Sequence, residues 1–351
     1  MSKAQDIPRR VLHIHFGKEG GAERFFVSLC QSMAEAGVEQ RFLIRPRRSW
    51  ANQVRALGNV KEVNYPRFAP VRALLQRWVD RQVSDWQPDA VVAWMPKAAT
   101  LLPKADGPAK LVRLGDYPRH IKHFQRADCM IGNTPGVQAR LQELGWDRPI
   151  EIISNFPREG EAKPDAISFD LPKGCFILSA AGRFVELKGF ATLIRAMAQV
   201  EGSALCLVGD GEQRAGLEAL AEELNVTDRL QITGWVDRPL DWVAKSNAVC
   251  VTSTHEVLGN VVLEAWLCGV PVISTPAPGP KWLIEDGETG LLLPDFSCDA
   301  LVVGIKRLME DQELAARLIA NGTKKLEKHF SKKGITDSYF RLIRTHRGGY
   351  S

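Results

Sequence analysis

The stretch AVCVTSTHEVLGNVVLEAWLCGVPVIST, residues 248–275, contains one complete strand–helix–strand unit. Each end is a short apolar run rich in β-branched residues, which is typical of a buried strand. The centre is an apolar helix with Asn260 as its expected N-cap, and Gly269 followed by Pro271 marks its end. Continuous apolar strands that alternate with helices predict a parallel sheet covered on both faces.

The same alternation extends along the whole chain. The predicted strands are 9–16, 40–44, 88–94, 109–115, 128–134, 150–154, 174–182, 203–211, 230–236, 248–253, 270–275 and 290–294. Helical patterns separate most of them, at 20–37, 135–145, 189–200 and 212–225 among others. Two such series in one chain of 351 residues predict an α/β protein with two doubly wound parallel-sheet domains.

The boundary between the domains is expected in PREGEAKPDAISFDLPKG (157–174), which is rich in proline and charge and lacks periodicity. We assign 1–160 to the first domain, 170–331 to the second and 332–351 to a C-terminal helix with a basic tail. Ligands of open α/β sheets bind at the carboxyl ends of the strands, so a ligand cleft is expected there.

Composition narrows the class of protein. The chain has 45% hydrophobic and 25% charged residues and no apolar run of 18 residues, which argues against a spanning helix. The N-terminal sequence lacks the apolar segment of a signal peptide, which predicts a cytoplasmic location. Seven cysteines are scattered without C-x-x-C, and Cys206 and Cys250 lie in predicted strands, so we expect reduced core thiols.

The net charge of +5 is unevenly distributed. Residues 1–160 hold 25 basic and 16 acidic side chains (+9), residues 161–321 hold 13 and 23 (−10), and residues 322–351 hold 8 and 2 (+6). A basic first domain and tail favour an anionic partner, but a merely solvated surface is equally consistent. No nucleic-acid-binding motif accompanies the charge, so nucleic acid is not the expected partner.

Several motifs are absent. There is no G-x-x-x-x-G-K-[ST] P-loop, and Arg214 stands where VGDGEQR (208–214) would need the third glycine of a dinucleotide fingerprint, which disfavours a dehydrogenase. H-E-x-x-H and G-x-S-x-G are also missing. Because no D-x-D occurs, no carboxylate pair is available to hold a divalent ion on a diphosphate, and no metal site is predicted.

Glycines and cations follow several of the predicted strands. Gly20 and Gly21 precede a long helix whose first N–H groups favour an anion, although a plain turn is the simpler explanation. Arg183 and Lys188, in a loop that begins with Gly182, can neutralise a diphosphate leaving group, although loop cations are usually only solvated.

Two further loops contain glycine after a strand. Gly209 lies in VGDGE (208–212), and Trp235 and Val236 lie in TGWVDR (233–238). Trp235 can stack on a flat ring or pack between domains, so neither loop is decisive by itself.

Two glutamates flank the start of the helix in the opening stretch. Glu256, in the loop before it, can accept hydrogen bonds from sugar hydroxyls, and Glu264, one turn inside, can reach a ribose diol. The simpler roles are a solvated turn residue and a carboxylate that favours the first turn by about 0.3–1 kcal/mol. A ligand-facing role is favoured because the neighbouring residues suggest a largely buried helix, where an unpartnered carboxylate is costly.

Backbone groups contribute at the same place. Gly259 and Asn260 open the helix, and the N–H groups of Val261 and Val262 are expected to point out of its end towards phosphate or sugar oxygens.

Taken together, these segments resemble the retaining glycosyltransferases of family 4. The resemblance rests on GGAER, AAGRFVELKGF, VGDGE, TGWV, GNTPGVQARL…IISNFP and the E-x7-E of HEVLGNVVLEAWLCGVPVIST, and is strongest over 174–294. It implies the GT-B fold, two Rossmann-like domains facing across a cleft, with the donor mainly on the second. It also implies that the C-terminal helix 332–351 packs back on the first domain.

The resemblance also implies roles for individual residues. Glu264 corresponds to the glutamate that binds ribose and Glu256 to the one that faces the donor sugar. Arg183 and Lys188 correspond to the diphosphate-binding pair. The loop of Gly20 and Gly21 is expected to close over the phosphates, and the backbone around Trp235 and Val236 is expected to meet the base.

The sequence departs from the family at one important place. The family often has a histidine after the strand of KLVRLGDYPRH, where Gly115 stands here, with Asp116 next and His120 further on. We include Asp116 as a catalytic candidate, although a turn cap is the commoner role of a lone aspartate after a strand. Leu258 replaces the usual phenylalanine inside E-x7-E, which is conservative.

The implied reaction is metal-independent transfer with retention, through an oxocarbenium-like transition state. The expected partners are a nucleotide-sugar donor, with a UDP-sugar favoured and no further cofactor, and a saccharide or lipid-linked saccharide acceptor. We expect synthesis of lipopolysaccharide core or exopolysaccharide. The stretches 45–50 and 67–82 combine arginine with apolar residues, which fits peripheral contact with an anionic inner membrane or a helix packed on its own domain.

Other functions would keep much of this pattern. A GT-B epimerase or phosphorylase would keep the nucleotide or phosphate site and change the reaction, and an epimerase would isomerise the donor without acceptor. A non-enzymatic sugar-nucleotide-binding protein would bind the nucleotide yet show no activity that depends on Glu256.

Overall fold

The structure is a computed structural model that describes residues 7–18, 20–66, 68–158 and 160–348. Expectations that fall on residues 1–6, on the single residues 19, 67 and 159, or on the tail end 349–351 lie outside the described residues. The chain divides into two compact units. Unit 1 comprises Met1–Arg158 and Phe330–Ser351, and unit 2 comprises Glu159–His329.

Unit 1 contains a seven-stranded parallel sheet. Its strands are β1 (Arg10–His15), β2 (Glu39–Ile44), β3 (Gly58–Glu62), β4 (Ala90–Trp94), β5 (Ala109–Leu114), β6 (Cys129–Gly132) and β7 (Ile150–Ile152). The helices before the second unit are α1 (Gly21–Glu35), α2 (Ala51–Arg55), α3 (Ala69–Trp86), α4 (Met95–Ala99) and α5 (Pro135–Glu143). The strand order is β3-β2-β1-β4-β5-β6-β7, so the direction of winding reverses between β1 and β4.

Unit 2 contains a six-stranded parallel sheet. Its strands are β8 (Phe176–Ala181), β9 (Ser203–Val208), β10 (Leu230–Ile232), β11 (Ala248–Val251), β12 (Val272–Ser274) and β13 (Leu291–Leu292). Its helices are α6 (Phe190–Ala198), α7 (Arg214–Glu223), α8 (Pro239–Ala244), α9 (Asn260–Leu267), α10 (Pro278–Leu283), α11 (Cys298–Glu310) and α12 (Gln312–His329). The order β10-β9-β8-β11-β12-β13 reverses between β8 and β11, and open α/β sheets bind ligands at such a switch point.

The C-terminal helix α13 (Lys332–His346) belongs to unit 1, where it packs against α1 and β5. Its Tyr339 is fully buried and accepts a 2.9 Å hydrogen bond from Arg113 Nε. The hydroxyls of Thr336 and Ser32 are 2.7 Å apart. These buried polar contacts fix the helix in register on the first sheet.

Strand β3 was not predicted, and its composition explains why. The segment GNVKE contains one valine and no fully buried residue, because it forms the edge of the sheet. An edge strand that is half solvated lacks the continuous apolar run by which the central strands are recognised.

Two buried histidines lie on β1. The ring nitrogen Nε2 of His13 is 3.1 Å from Gln40 Oε1, and Gly17 N donates to His15 Nδ1 at 2.9 Å. Burial lowers the pKa of both side chains to about 3, and for His15 the charge of His13 adds to the effect. Both imidazoles are therefore neutral core groups at pH 7.

None of the seven cysteines forms a disulfide, and the prediction of reduced core thiols is confirmed for two of them. Cys206 and Cys250 are buried in strands of unit 2, and burial raises the pKa of each thiol to about 12. Among the described residues, no helix is long and apolar enough to cross a membrane.

Candidate functional site

An ion pair stands at the switch point of unit 2. Lys188 ends a short 3₁₀ turn (Glu186–Lys188) in the loop after β8, and Glu256 lies in the loop after β11. Lys188 Nζ is 2.5 Å from Glu256 Oε2, and the two side chains are 25% and 20% exposed. The pair therefore sets a cation and a carboxylate side by side at the carboxyl ends of the strands, which is where open α/β sheets bind ligands.

Two residues that the sequence argument overlooked hold this pair. The Thr252 hydroxyl donates to the Lys188 carbonyl at 2.7 Å, and the Ser253 hydroxyl donates to Glu256 Oε2 at 3.2 Å. Ser253 is in turn fixed through its own carbonyl, which accepts from the Thr275 hydroxyl at 2.7 Å. The sequence signal is TST (252–254), a run of hydroxyl side chains that ends a strand two residues before the loop carboxylate.

The loop that carries Lys188 runs against the end of β11. Gly189 has a φ of +66°, and a Cβ there would lie 2.2 Å from the Thr252 carbonyl oxygen. Gly209, in the loop after β9, has a φ of +145°, and a Cβ there would lie 2.0 Å from the Gly182 carbonyl oxygen. Glycine at these two places lets the loops after three strands meet backbone to backbone.

Helix α9 begins one residue earlier than expected, and this corrects one prediction. Gly259, in the left-handed conformation, is the N-cap, and Asn260 is the first helical residue rather than the cap. The Val262 N–H donates to the Gly259 carbonyl at 2.9 Å. It therefore does not point out of the helix end as predicted, whereas the prediction for Val261 is unaffected.

Glu264 lies one turn inside α9, as predicted, and is half-buried. The helix is less buried than its sequence suggested, because Leu267 is 43% exposed while Val262, Leu263, Ala265 and Trp266 are buried. Cys268, which follows Leu267, is half-buried, and burial, followed by the negative charges of Glu264 and Asp241, raises the pKa of its thiol to about 12. Burial cost alone is therefore a weaker argument for a ligand role at Glu264 than the sequence implied.

The loops after β9 and β10 are joined to each other. Gly209 and Gly234 form an isolated antiparallel bridge, and Gly182 N donates to the Val208 carbonyl at 3.0 Å. Trp235 is 59% exposed, so within unit 2 it is available to stack on a ring. Its half-buried neighbour Val236 lies in the same loop.

Arg214 begins α7 and is engaged with carboxylates of its own segment. Its guanidinium donates to Asp210 Oδ2 at 3.1 Å and to Glu218 Oε1 at 2.9 Å. Arg183, in the loop after β8, is exposed, so the two cations predicted for a diphosphate differ in burial.

The candidates in unit 1 form a separate group. Gly20 is the N-cap of α1 and Gly21 its first residue, and the buried carboxylate of Glu23 lies against this loop, 3.2 Å from where a Cβ on Gly20 would be. Asp116 is exposed, and its Oδ1 accepts from Tyr117 N at 2.7 Å. This hydrogen bond fits the simpler role given above, in which Asp116 caps a turn. The catalytic role of Asp116 stays a hypothesis.

Asp116 affects the titration of the tyrosine that follows it in the chain. Burial, followed by the negative charge of Asp116, raises the pKa of Tyr117 above its usual value. Within the described ranges, no group of three or more His, Cys, Asp or Glu side chains is arranged to hold a metal ion.

Sequence comparisons identify relatives across the chain. The family model described as glycosyl transferases group 1 matches residues 165–325. The lipopolysaccharide core biosynthesis glycosyltransferase LpsE of Rhizobium meliloti (strain 1021) is 41% identical over 335 residues, which are 95% of this chain and 98% of LpsE. LpsD of the same organism, described in the same words, is 41% identical over 336 residues, with the same coverage of each chain.

Solved structures share the fold. A glycosyltransferase from Rickettsia africae ESF-5 superposes with a TM-score of 0.83 at 15% identity, over 96% of this chain and 98% of that one. Anabaena HepE, solved with UDP and glucose, gives a TM-score of 0.79 at 20% identity, over 96% of this chain and 100% of that one. Together with the two parallel sheets, this likeness confirms the predicted GT-B fold class.

Proposed function

The chain belongs to the group 1 glycosyltransferases, and we propose that it transfers a sugar from a nucleotide-diphosphate donor to a saccharide or lipid-linked saccharide acceptor. We propose lipopolysaccharide core synthesis as the setting, because two relatives of that description align over 95% of the chain. A UDP-sugar is the favoured donor.

The contact between Lys188 and Glu256 carries the proposal. A cation suited to phosphate and a carboxylate suited to sugar hydroxyls lie side by side there, at the switch point of the sheet of unit 2. The ammonium of Lys188 and the guanidinium of Arg183 bind the leaving diphosphate. Glu256 accepts from the donor sugar, and Glu264, one helical turn further, accepts from the ribose.

We propose that the reaction is retaining and independent of metal. As the glycosidic bond breaks, positive charge develops on the sugar ring and negative charge on the nucleoside diphosphate. Lys188, Arg183 and the amide of Val261 at the start of α9 stabilise the diphosphate. The acceptor hydroxyl attacks on the face that the diphosphate leaves, and its proton passes to the departing phosphate.

A nucleotide-sugar panel tests this proposal. Binding and slow hydrolysis are measured for UDP-, GDP- and ADP-sugars without acceptor, in the presence and absence of EDTA. We expect one base and one sugar to be preferred and EDTA to leave hydrolysis unchanged. Activity that a chelator removes and a divalent ion restores would contradict metal independence.

The same panel separates the alternative reactions. An isomerised sugar in the absence of acceptor would identify an epimerase. Release of a sugar 1-phosphate from an added oligosaccharide, when inorganic phosphate is supplied, would identify a phosphorylase.

A further inference from the structure

Gly115, directly after β5 in unit 1, is a glycine that the fold itself does not require. Its φ does not lie in the left-handed region, and the nearest atom to a Cβ built there is the Ala22 Cβ at 3.7 Å. Most other glycines of the described ranges are left-handed or would bring a Cβ within 3.4 Å of a neighbour. A side chain would therefore fit at Gly115 without strain, and its lack leaves open space at the carboxyl end of β5, where open α/β sheets bind ligands.

Asn133, in the loop after β6, borders the same space. The register of β5 and β6 pairs Leu114 with Gly132, so the next residue along each chain segment is a neighbour of the other. Asn133 Nδ2 donates to the Gly115 carbonyl at 3.3 Å. This bond fixes the orientation of the amide, because an exchanged oxygen would face another oxygen. Asn133 is only 3% exposed, and nothing in the described part of the chain donates a hydrogen bond to its Oδ1.

The space lies on the face of the sheet that α1 covers. Side chains alternate along a strand, so Gly115 shares the face of Arg113, whose guanidinium lies 5.2 Å from the centroid of the Phe25 ring of α1. Arg113 also donates to the Tyr339 hydroxyl at 2.9 Å and to Asn155 Oδ1 at 2.6 Å. Buried hydrogen bonds therefore hold the end of β5 directly beneath the space.

The chemistry around the space selects a neutral hydrogen-bond donor. A buried acceptor without a partner is costly, so Asn133 Oδ1 favours a ligand that brings an N–H or O–H group. Two carboxylates flank the site. The exposed Asp116 follows Gly115 in the chain, and the buried Glu23 lies in the first turn of α1. Negative charge on both sides disfavours a phosphate or carboxylate and leaves a sugar hydroxyl as the fitting group.

We propose that Gly115 and Asn133 form a subsite for a neutral sugar residue of the acceptor, which we call the acceptor subsite. This subsite rests on the proposed transferase function. A hydroxyl of the acceptor sugar donates to Asn133 Oδ1, and the sugar ring occupies the space that a side chain at Gly115 would fill. Gly115 thus limits the size of the accepted sugar, and Asn133 recognises one of its hydroxyls.

Calorimetric binding of a truncated lipopolysaccharide core saccharide tests the acceptor subsite without turnover. The protein is saturated with the nucleoside diphosphate that the nucleotide-sugar panel selects. Gly115→Ala should weaken saccharide binding by about three-fold and Gly115→Val by at least about ten-fold, because the added atoms fill the space. The affinity for the nucleoside diphosphate should be the same in both variants. Gly216→Val, at a glycine of α7 that also has no neighbour within 4 Å, should bind the saccharide as the wild-type protein does.

The role of Asn133 is tested with analogues of the terminal acceptor residue that each lack one hydroxyl. One analogue should bind the wild-type protein about ten-fold more weakly than the parent sugar, because it leaves Oδ1 unpaired. Asn133→Ala should bind that analogue and the parent sugar equally. Misfolding would not remove discrimination in this selective way, and circular dichroism checks that each variant is folded.

Several outcomes would overturn the acceptor subsite. They are unchanged saccharide binding by Gly115→Val, discrimination that survives in Asn133→Ala, tighter binding of a phosphorylated saccharide than of its neutral parent, and no saccharide binding by the wild-type protein. The proposed reaction fails in a different way. If the wild-type protein binds the saccharide with the expected pattern but transfers no sugar to it, the reaction is wrong and the subsite is supported.

Discussion

The ammonium of Lys188 lies 2.5 Å from Oε2 of Glu256, although the two residues are 68 positions apart in the chain. They meet because β8 and β11 are neighbours in the sheet, with Leu178 opposite Ala248. Each residue stands in the loop after its strand, so the switch in strand order brings a cation and a carboxylate to one place.

Replacement of Lys188 should separate function from folding. We expect Lys188→Ala to lower turnover by about 10²-fold, because a cation that stabilises developing charge on the diphosphate is lost. Stability should fall less than activity, because Glu256 keeps its hydrogen bond from the Ser253 hydroxyl after the cation is removed. Kinetics and thermal unfolding check this, with Lys306→Ala, at an exposed position of α11, as the control. A melting temperature that falls in step with activity would make Lys188 structural.

Ser253 should act through Glu256. Because its hydroxyl fixes the carboxylate that we assign to the donor sugar, Ser253→Ala should lower kcat/KM by about ten-fold. The affinity for free nucleoside diphosphate should not change. A general loss of structure would lower that affinity as well, so the two explanations can be separated. Thr254→Ala, a change at the exposed neighbouring hydroxyl, serves as the control. If both variants lose activity equally, the hydrogen bond from Ser253 to Glu256 is not the cause of the loss.

Glu264 should govern nucleotide affinity. Loss of a carboxylate that accepts from the ribose is expected to weaken binding of UDP to Glu264→Ala by about ten-fold or more. Isothermal titration calorimetry measures this directly. Glu222→Ala, at an exposed position of α7, should bind UDP normally. Unchanged UDP affinity in the Glu264 variant would refute the ribose assignment.

The two glycines Gly209 and Gly216 should respond to alanine in opposite ways. A Cβ on Gly209 would meet the Gly182 carbonyl oxygen at 2.0 Å, so Gly209→Ala must separate two loops and should cost at least about 2 kcal/mol. Gly216 lies in α7 with nothing within 4 Å of the added atom, and Gly216→Ala should stabilise by about 0.5–1 kcal/mol. Urea unfolding measures both changes. Equal stability of the two variants would show that the loops after β8 and β9 do not meet this closely.

The buried histidines of β1 predict that acid destabilises unit 1. Their folded-state pKa of about 3 lies below the unfolded value of 6.5, so below pH 6.5 the unfolded chain binds more protons. The stability they contribute is complete above pH 6.5 and is lost as the pH falls from 6.5 towards 3, by up to about 1.4 kcal/mol per pH unit for each histidine.

Unfolding in urea at pH 7 and pH 5 measures this dependence. His13→Gln should flatten it relative to the wild-type protein, and His329→Gln, at an exposed position, should not. A pH dependence that is the same in all three proteins would mean that His13 is not neutral in the folded state.

Most strands and the class of fold could be predicted from the sequence because the central strands are continuous apolar runs. Unit 2 shows this best, since 248–253 and 270–275 enclose β11 and β12. Strand β3 could not be predicted because an edge strand is only half buried. The N-cap of α9 could not be predicted for another reason. Whether Gly259 or Asn260 is the cap depends on a left-handed backbone conformation that composition does not determine.

The candidate site was predictable as a set of residues but not as a set of contacts. Glu256 and Lys188 were identified by motif and assigned to different parts of the ligand, whereas the structure pairs them with each other. Thr252 and Ser253 were overlooked, because hydroxyl side chains after a strand are common and their partners become visible only when β8 and β11 are adjacent. Pairing across a sheet is a property of strand order, which no local pattern encodes.

Product analysis of the transfer reaction tests the central claim most directly. The protein is incubated with the nucleotide sugar selected by the panel and a truncated lipopolysaccharide core saccharide, and NMR determines the configuration of the new glycosidic bond. We predict acceptor-dependent release of the nucleoside diphosphate in an amount equal to the product, with the anomeric configuration of the donor retained. Inverted configuration, or no product that depends on the acceptor, would contradict the account.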